Sequence, residues 1–385
     1  LCAAAPVCAL SSQKGAGKSF VIVGDFTNIA DLERPNVVFD AINQLKQNAE
    51  PGSIEDFDFM VTSGDNLYPL VPEEPTQWEF SKMMGLFEER EALKDVPVFP
   101  VRGNHDCYFN SMDVEVELAQ SNPSWRFENW YYEKQFEVGP NGEKFSLLNL
   151  DSCFMLCETI NSKPDLKQDL LMQLDDHSRE IIDSKCDFAA EYVQRGNEQM
   201  AWIKKTVAAN RNDEKIVWRA SNMHHPLFGL HYNDYQSLIN DFLPVALQND
   251  FDVYFNGHEH LMNYGFYDKT SLNPPREDIP SQTPDCNNST EIFMNGSDSK
   301  TRSVKTRQGE RLNQFTTGAS GKENYQLCSS QMEKTQGVFQ YAENKYNGFA
   351  LVYVTHEKFQ FTFKGVVNEN PSSDAFFQRF LRDKM

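Results

Sequence analysis

Short apolar, β-branched runs recur along the chain, and most stop at the same kind of residue. SFVIVGD (19–25), FDFMVTSGDN (57–66), VPVFPVRGNHD (96–106), KFSLLNLDS (144–152), KIVWRASNMHHP (215–226) and FDVYFNGHEH (251–260) each read as a buried strand followed by a polar stop. Between them, 36–48, 77–94, most of 165–208 and 234–247 carry apolar residues at helical spacing. Strands alternating with helices predict an α/β sheet with covered faces. Beyond these strands, residues 268–310 are polar, rich in Pro, Ser and Asn, and without a period, which predicts a loop insertion. Residues 311–317, 337–341, 347–356 and 358–366 then read as short strands. No repeat appears at a period of about 20–50 residues. The expected organisation is a flexible N-terminal stretch over 1–18, one folded domain over 19–366 carrying the insertion at about 268–310, and a C-terminal tail over 367–385.

Composition narrows the function classes. Of 385 residues, 40% are hydrophobic and 24% charged, which excludes a disordered chain, a collagen and a coiled coil. The formal charge of −20 argues against a nucleic-acid partner and against an anionic membrane surface. No stretch approaches the roughly 18 apolar residues of a spanning helix. With 29 Phe, 14 Tyr and 5 Trp the chain can build a large core.

The first residues, LCAAAPVCAL followed by SSQKGAGKS, look like the end of a signal segment. Glycosylation sequons fall at Asn287, Asn288 and Asn295. Together these predict a secreted or lumenal protein. Of the eight cysteines (Cys2, Cys8, Cys107, Cys153, Cys157, Cys186, Cys286 and Cys328) none forms a CxxC pair, so a zinc ribbon is not indicated. Cys153 or Cys157 is a candidate to staple a loop to Cys186, and Cys107 reads as a packed free cysteine rather than a reactive thiol.

The strand ends carry the chemistry. They supply Asp25, Asp65 with Tyr68, Asn104 with His105, His224 with His225, and His258 with His260. In open α/β folds ligands sit beyond the carboxyl ends of strands. Carboxylate, phenol, amide oxygen and imidazole in this number suit two adjacent first-row metals rather than one closed structural zinc site. Two metals roughly 3.5–4 Å apart clamp an in-line displacement at phosphorus. GAGKS (15–19) imitates the end of a P-loop, but Ser12 stands where the pattern needs Gly and the segment precedes a strand instead of opening a helix.

The ordered set GD, GDNxY, GNHD, a following His and GHxH resembles that of the calcineurin-like metallophosphoesterases. The tyrosine of GDNLY (64–68) resembles the purple acid phosphatases in particular, above all their small, tartrate-resistant mammalian-type form. The likeness runs from about residue 19 to 366 and extends to NLDSCFMLC (149–157), FTTGASG (315–321) and NGFALVYV (347–354). It implies a four-layer α/β/β/α sandwich with two mixed sheets. It implies that Asp25, Tyr68 and His260 hold a ferric ion, that Asp65 bridges, and that Asn104, His224 and His258 hold a divalent iron, zinc or manganese. The reaction implied is hydrolysis of phosphate monoesters at acidic pH by hydroxide generated at the metal pair, on a small phosphomonoester or a phosphoprotein. His105 is then expected to touch the phosphate or the leaving-group oxygen. A phosphodiesterase or nucleotide pyrophosphatase on the same fold, and a non-catalytic scaffold, are the alternatives.

Other residues carry weaker readings. His225 either lines the substrate cleft or faces solvent, and His231, in the loop after the same strand, is a further phosphate-contact candidate. Glu259, between two ligands, is expected to point away. Asp106 is expected to support the site from behind, and Asp151 to be structural. His177 and His356 read as surface residues. The first motif departs from the family, with GDFTN (24–28) in place of GDWGG, and SNM (221–223) replaces an Ala-Gly pair before His224.

Overall fold

A computed structural model describes residues 14–71, 75–107, 114–156, 190–230, 235–268, 286–287, 291–293, 301–305, 311–328, 338–366 and 375–382. Two mixed sheets form its centre. The first has seven strands in the order Thr301–Lys305, Ala375–Arg382, Lys358–Gly365, Gly348–Val354, Lys18–Val23, Phe59–Thr62 and Val98–Phe99. The second has eight, in the order Glu291–Phe293, Phe339–Glu343, Met262–Asp268, Arg311–Thr317, Val253–Asn256, Ile216–Asn222, Lys144–Asn149 and Tyr132–Glu137. In the first sheet Lys18–Val23, Phe59–Thr62 and Val98–Phe99 run parallel. In the second, Lys144–Asn149, Ile216–Asn222, Val253–Asn256 and Arg311–Thr317 run parallel. The motif loops leave the carboxyl ends of these two parallel groups.

Alternation along the second sheet explains the layers. Phe145, Leu147 and Phe255 enter one core, while their neighbours Leu148, Leu150 and Tyr254 enter another on the opposite face. The first core lies between the sheets and is aromatic. Phe315 of the second sheet stacks on Phe361 of the first at 3.9 Å, and Phe20 meets Phe145 at 5.8 Å and Phe255 at 6.2 Å. Helices Glu33–Gln47 and Gln77–Glu88 join this cluster through Phe39 and Phe87, which meet edge to face at 5.0 Å, and form a layer beside the first sheet. The second core is covered by Met200, Ile203 and Val207 of helix Ala190–Asn212 and by Leu238, Leu243 and Ala246 of the short helices Gln236–Asp241 and Leu243–Gln248. Helix, sheet, sheet and helix make four layers, as the resemblance implies.

Several sequence expectations change. Strands Tyr132–Glu137 and Met262–Asp268 were not expected. The first is an edge strand whose burial is mostly partial, so YEKQFE shows little hydrophobic signal. The second, MNYGFYD, is interrupted by Asn and Gly and follows directly on the last His motif. Within the expected insertion, Glu291–Phe293 and Thr301–Lys305 are sheet strands, and Cys286–Asn287 pairs with Leu327–Cys328. The expected C-terminal tail supplies Ala375–Arg382, antiparallel to Lys358–Gly365. An aromatic, β-favouring AFFQRFLR meets the exposed edge of an aromatic strand there. The start of helix 165–208, His177, Cys157, Cys186, Asn288 and Asn295 lie outside the described residues.

Phe361 is fully buried and joins the two sheets through its stack on Phe315. Phe361→Ala is expected to destabilise the fold by about 3–5 kcal/mol, the cost of a large cavity, read as a lower denaturant midpoint.

Candidate metal centre

The ends of the two parallel strand groups bring five polar loops together. Asp25 follows Lys18–Val23, Asp65 follows Phe59–Thr62, and Asn104 opens the short helix Asn104–Cys107 after Val98–Phe99. His224 follows Ile216–Asn222, and His258 and His260 follow Val253–Asn256. Backbone bonds lock the loops to one another. The Asp25 N–H donates to the Gly64 carbonyl at 3.0 Å and the Gly257 N–H to the His224 carbonyl at 3.1 Å.

Asp25, Asp65 and His258 hold positive φ of 57°, 48° and 69°, a region costly for side chains other than Gly. The neighbouring glycines leave room for the carboxylates. A Cβ on Gly103 would lie 2.2 Å from an Asp65 oxygen, and one on Gly257 would lie 2.5 Å from an Asp25 oxygen. Each carboxylate is also fixed by a backbone donor: His105 N–H to Asp65 Oδ1 at 2.8 Å, and His258 N–H to Asp25 Oδ2 at 2.9 Å.

The seven expected ligands divide into two groups. Tyr68 Oη lies 2.9 Å from Asp25 Oδ1, 2.8 Å from Asp65 Oδ2 and 3.1 Å from His260 Nε2. Asn104 Oδ1 lies 2.8 Å from His224 Nε2 and 2.9 Å from His258 Nδ1, and those two ring nitrogens are 3.2 Å apart. Asp65 joins the groups, since its Oδ1 is 3.3 Å from His224 Nε2. All seven residues are buried.

The ring nitrogens turned away from this cluster are occupied, which selects the nitrogen presented inward. His224 Nδ1 donates to the Ser63 carbonyl at 2.9 Å and His260 Nδ1 to the Glu323 carbonyl at 3.0 Å. Tyr235 Oη holds His258 Nε2 at 2.7 Å.

The electrostatics favour bound cations. Burial pushes the Tyr68 phenol well above its ordinary range, and the Asp25 and Asp65 carboxylates push the same way. Positive charge at this point reverses both effects, so a hard cation fits the phenol, carboxylates and imidazole gathered there. Burial also raises Asp25. Burial opposes the Asp65 charge, but the His224 and His105 imidazoles outweigh it and hold the carboxyl well below its usual range. His224 responds in kind: burial disfavours its charge, yet Asp65 prevails and lifts it to about 9. Asp25, Asp65 and His224 also place ligand atoms within 4.8 Å of one another.

The supporting residues fall as follows. Asp106 accepts the Asn66, Leu67 and Gly103 N–H groups at 3.0, 3.1 and 2.7 Å, tying the second motif to the third; burial and the nearby Asp65 raise it to about 7. Asp151 pairs with Arg102 in the interior. Glu259 points away from the cluster and accepts Leu230 N–H at 2.6 Å. His356 is partly exposed. The altered first motif forms a two-residue parallel ladder, Thr27 with Leu67 and Asn28 with Tyr68, which ties it to the second.

Two expectations need correction. Cys107 is not free but disulfide-bonded to Cys153, a partner 46 residues away that sequence spacing did not suggest. His225 does not face solvent: it is fully buried behind His224 and His258, with Nδ1 2.7 Å from Ser152 Oγ. His105 is partly exposed, with its ring 4.4 Å from that of Tyr68. His231 lies outside the described residues. Sequence reasoning missed Tyr235, Ser152 and Lys322, whose partners His258, His225 and Tyr68 lie far away in the chain.

Known proteins resemble this chain in sequence and in fold. Tartrate-resistant acid phosphatase type 5 of Rattus norvegicus is 22% identical over 268 residues, covering 67% of this chain and 71% of that protein. Two solved structures share the fold. GAP50, the anchor in the inner membrane complex of Plasmodium, has a TM-score of 0.60 at 13% identity, with 96% of this chain and 90% of that one covered. Purple acid phosphatase PPD1 from yellow lupin (Lupinus luteus) seeds has a TM-score of 0.55 at 14% identity, with 97% of this chain and 55% of that one covered. The family profile described as calcineurin-like phosphoesterase matches residues 18–262, from the first strand through the last His motif. The chain belongs to the calcineurin-like phosphoesterase family.

Proposed function

We propose that the chain is an acid phosphatase that hydrolyses phosphate monoesters with a ferric ion and a divalent iron, zinc or manganese. The observation that carries this reading is the pair of ligand groups joined by Asp65. Asp25, Tyr68 and His260 would hold the ferric ion, Asn104, His224 and His258 the divalent one, and Asp65 both. When bound, such a pair supplies Lewis acidity that activates water below neutral pH and neutralises phosphoryl charge. Tyr68, as a hard charged oxygen donor once ionised, favours the trivalent ion.

The chain's own residues do the rest. His105 is partly exposed beside Tyr68 and its backbone is held by Asp65, which supports a role for its ring in giving a proton to the leaving oxygen. His225 is assigned a positioning role, since its buried ring packs on His224 and His258 and is held by Ser152. Tyr235 fixes His258 in the same way. The substrate class is a small phosphomonoester or a phosphoprotein.

A second reading draws on the structural neighbour GAP50, an anchor: a scaffold that keeps the fold without turnover. Retention of all seven ligand types favours the enzyme.

We also infer a secreted or lumenal location. The Cys107–Cys153 disulfide supports it, because such bonds persist in oxidising compartments.

On p-nitrophenyl phosphate between about pH 4 and 8, Asp65→Asn and His258→Ala are each expected to lower kcat by at least about a hundredfold, the scale for losing one preorganised charge-stabilising group. Wild-type-like turnover in either variant would refute the assignment, and a metal-loaded wild type without turnover would favour the scaffold. Tyr235→Phe is expected to weaken binding of the divalent ion roughly 10–100-fold in a chelator competition, because its hydroxyl orients His258. Peptide mapping without reductant should recover Cys107 linked to Cys153; two free thiols in protein from the secretory route would count against the proposed location.

A further inference from the structure

The seven ligand residues are all buried, so an arriving substrate first meets the residues around them. Three of these are partly exposed: His105, Lys322 and Tyr325. Tyr325 stacks on His260 at 4.2 Å. His105 and Lys322 both lie against the Tyr68 ring, the imidazole at 4.4 Å between centroids and the Lys322 ammonium at 4.4 Å from the ring centre.

The backbone at Lys322 is fixed with respect to the metal-site loops. Its N–H donates to the Asp25 carbonyl at 3.0 Å, and its carbonyl accepts from Asn347 Nδ2 at 2.9 Å. The preceding Gly321 passes so close to the first motif that a Cβ there would lie 2.0 Å from the Phe26 carbonyl oxygen. The lysine is therefore carried by the same rigid turn that braces Asp25.

Its ammonium has no carboxylate within 4.0 Å among the described residues, although Asp65 and Asp25 attract it from farther away. A lysine stem packed on an aromatic ring is common on protein surfaces. This one differs in lying over the ring of a ligand residue at the mouth of the site. The chain's charge of −20 repels dianions at long range, and Lys322 offsets that repulsion where the substrate binds. A bound ammonium contact adds most for the ligand with the most negative charge.

We propose that Lys322 is a specificity-determining residue whose ammonium binds a phosphoryl oxygen and favours doubly charged monoesters over singly charged diesters. The proposal rests on the hydrolase reading and names the feature that selects its substrate class.

The test uses metal-loaded, full-length wild type, Lys322→Gln and Lys322→Arg at about pH 7, where monoesters are dianions. Calorimetry measures binding of inorganic phosphate, and kinetics compare p-nitrophenyl phosphate with bis(p-nitrophenyl) phosphate. Lys322→Gln is expected to weaken phosphate binding about tenfold, on the order of one charge-assisted contact. It should raise KM for the monoester by a similar factor with a smaller change in kcat, raise KM for the diester by a clearly smaller factor, and leave the bound metal content unchanged. Lys322→Arg should recover most of the phosphate affinity. Unchanged phosphate affinity in Lys322→Gln, or parallel losses on both esters, would overturn the proposal. If the wild type turns over neither ester, the hydrolase reading fails, while the phosphate titrations still decide the role of Lys322. Loss of metal from Lys322→Gln with no recovery in Lys322→Arg would mark the residue as structural and likewise overturn the proposal.

Discussion

Everything in this molecule turns on holding lone-pair donors together in a buried place where they repel one another. Two carboxylates, a phenol, an amide oxygen and three imidazoles converge there at hydrogen-bond distances. Such a cluster is costly unless each member is held from behind. The chain holds them by backbone means. Three residues accept left-handed conformations, glycines clear space for carboxylate oxygens, and N–H groups of neighbouring loops fix those oxygens. Carbonyls and a tyrosine hydroxyl then set which nitrogen each imidazole presents.

The rest of the fold supplies rigidity for this arrangement. The aromatic rings between the sheets interlock across both, so the loop-bearing ends of the parallel strands cannot slide independently. Asp106 and the Thr27–Asn28 ladder bind the first three motifs into one unit. On the other side the disulfide ties the helix carrying Asn104 to the turn carrying Ser152, which in turn holds His225.

The ligand residues were legible in the sequence because one short motif carries both requirements at once. In GD, GNHD and GHEH the glycine answers a local steric demand and the next residues supply the donor. The parallel strands were legible for a similar reason, since their burial on both faces gives continuous apolar runs. What escaped depends on residues distant in the chain. Tyr235 reaches His258, Cys107 reaches Cys153, and Lys322 reaches Tyr68 only after both sheets are packed. The edge strand Tyr132–Glu137 escaped because an edge need not be apolar, and Ala375–Arg382 because it follows a polar stretch. His225 was placed near the site by sequence, but only its packing reveals that it stands behind the ligands.

The division of ligands between the two sheets has a thermodynamic consequence. Asp25, Tyr68 and Asn104 belong to loops of the first sheet, and His224, His258 and His260 to loops of the second. Each ligand group draws from both, so neither group exists on a half-assembled chain. A cation bound at either position would act as a rivet through the seam, and its binding free energy would add directly to the work of prying the halves apart. Metal supply and mechanical cohesion would then be one quantity in this protein.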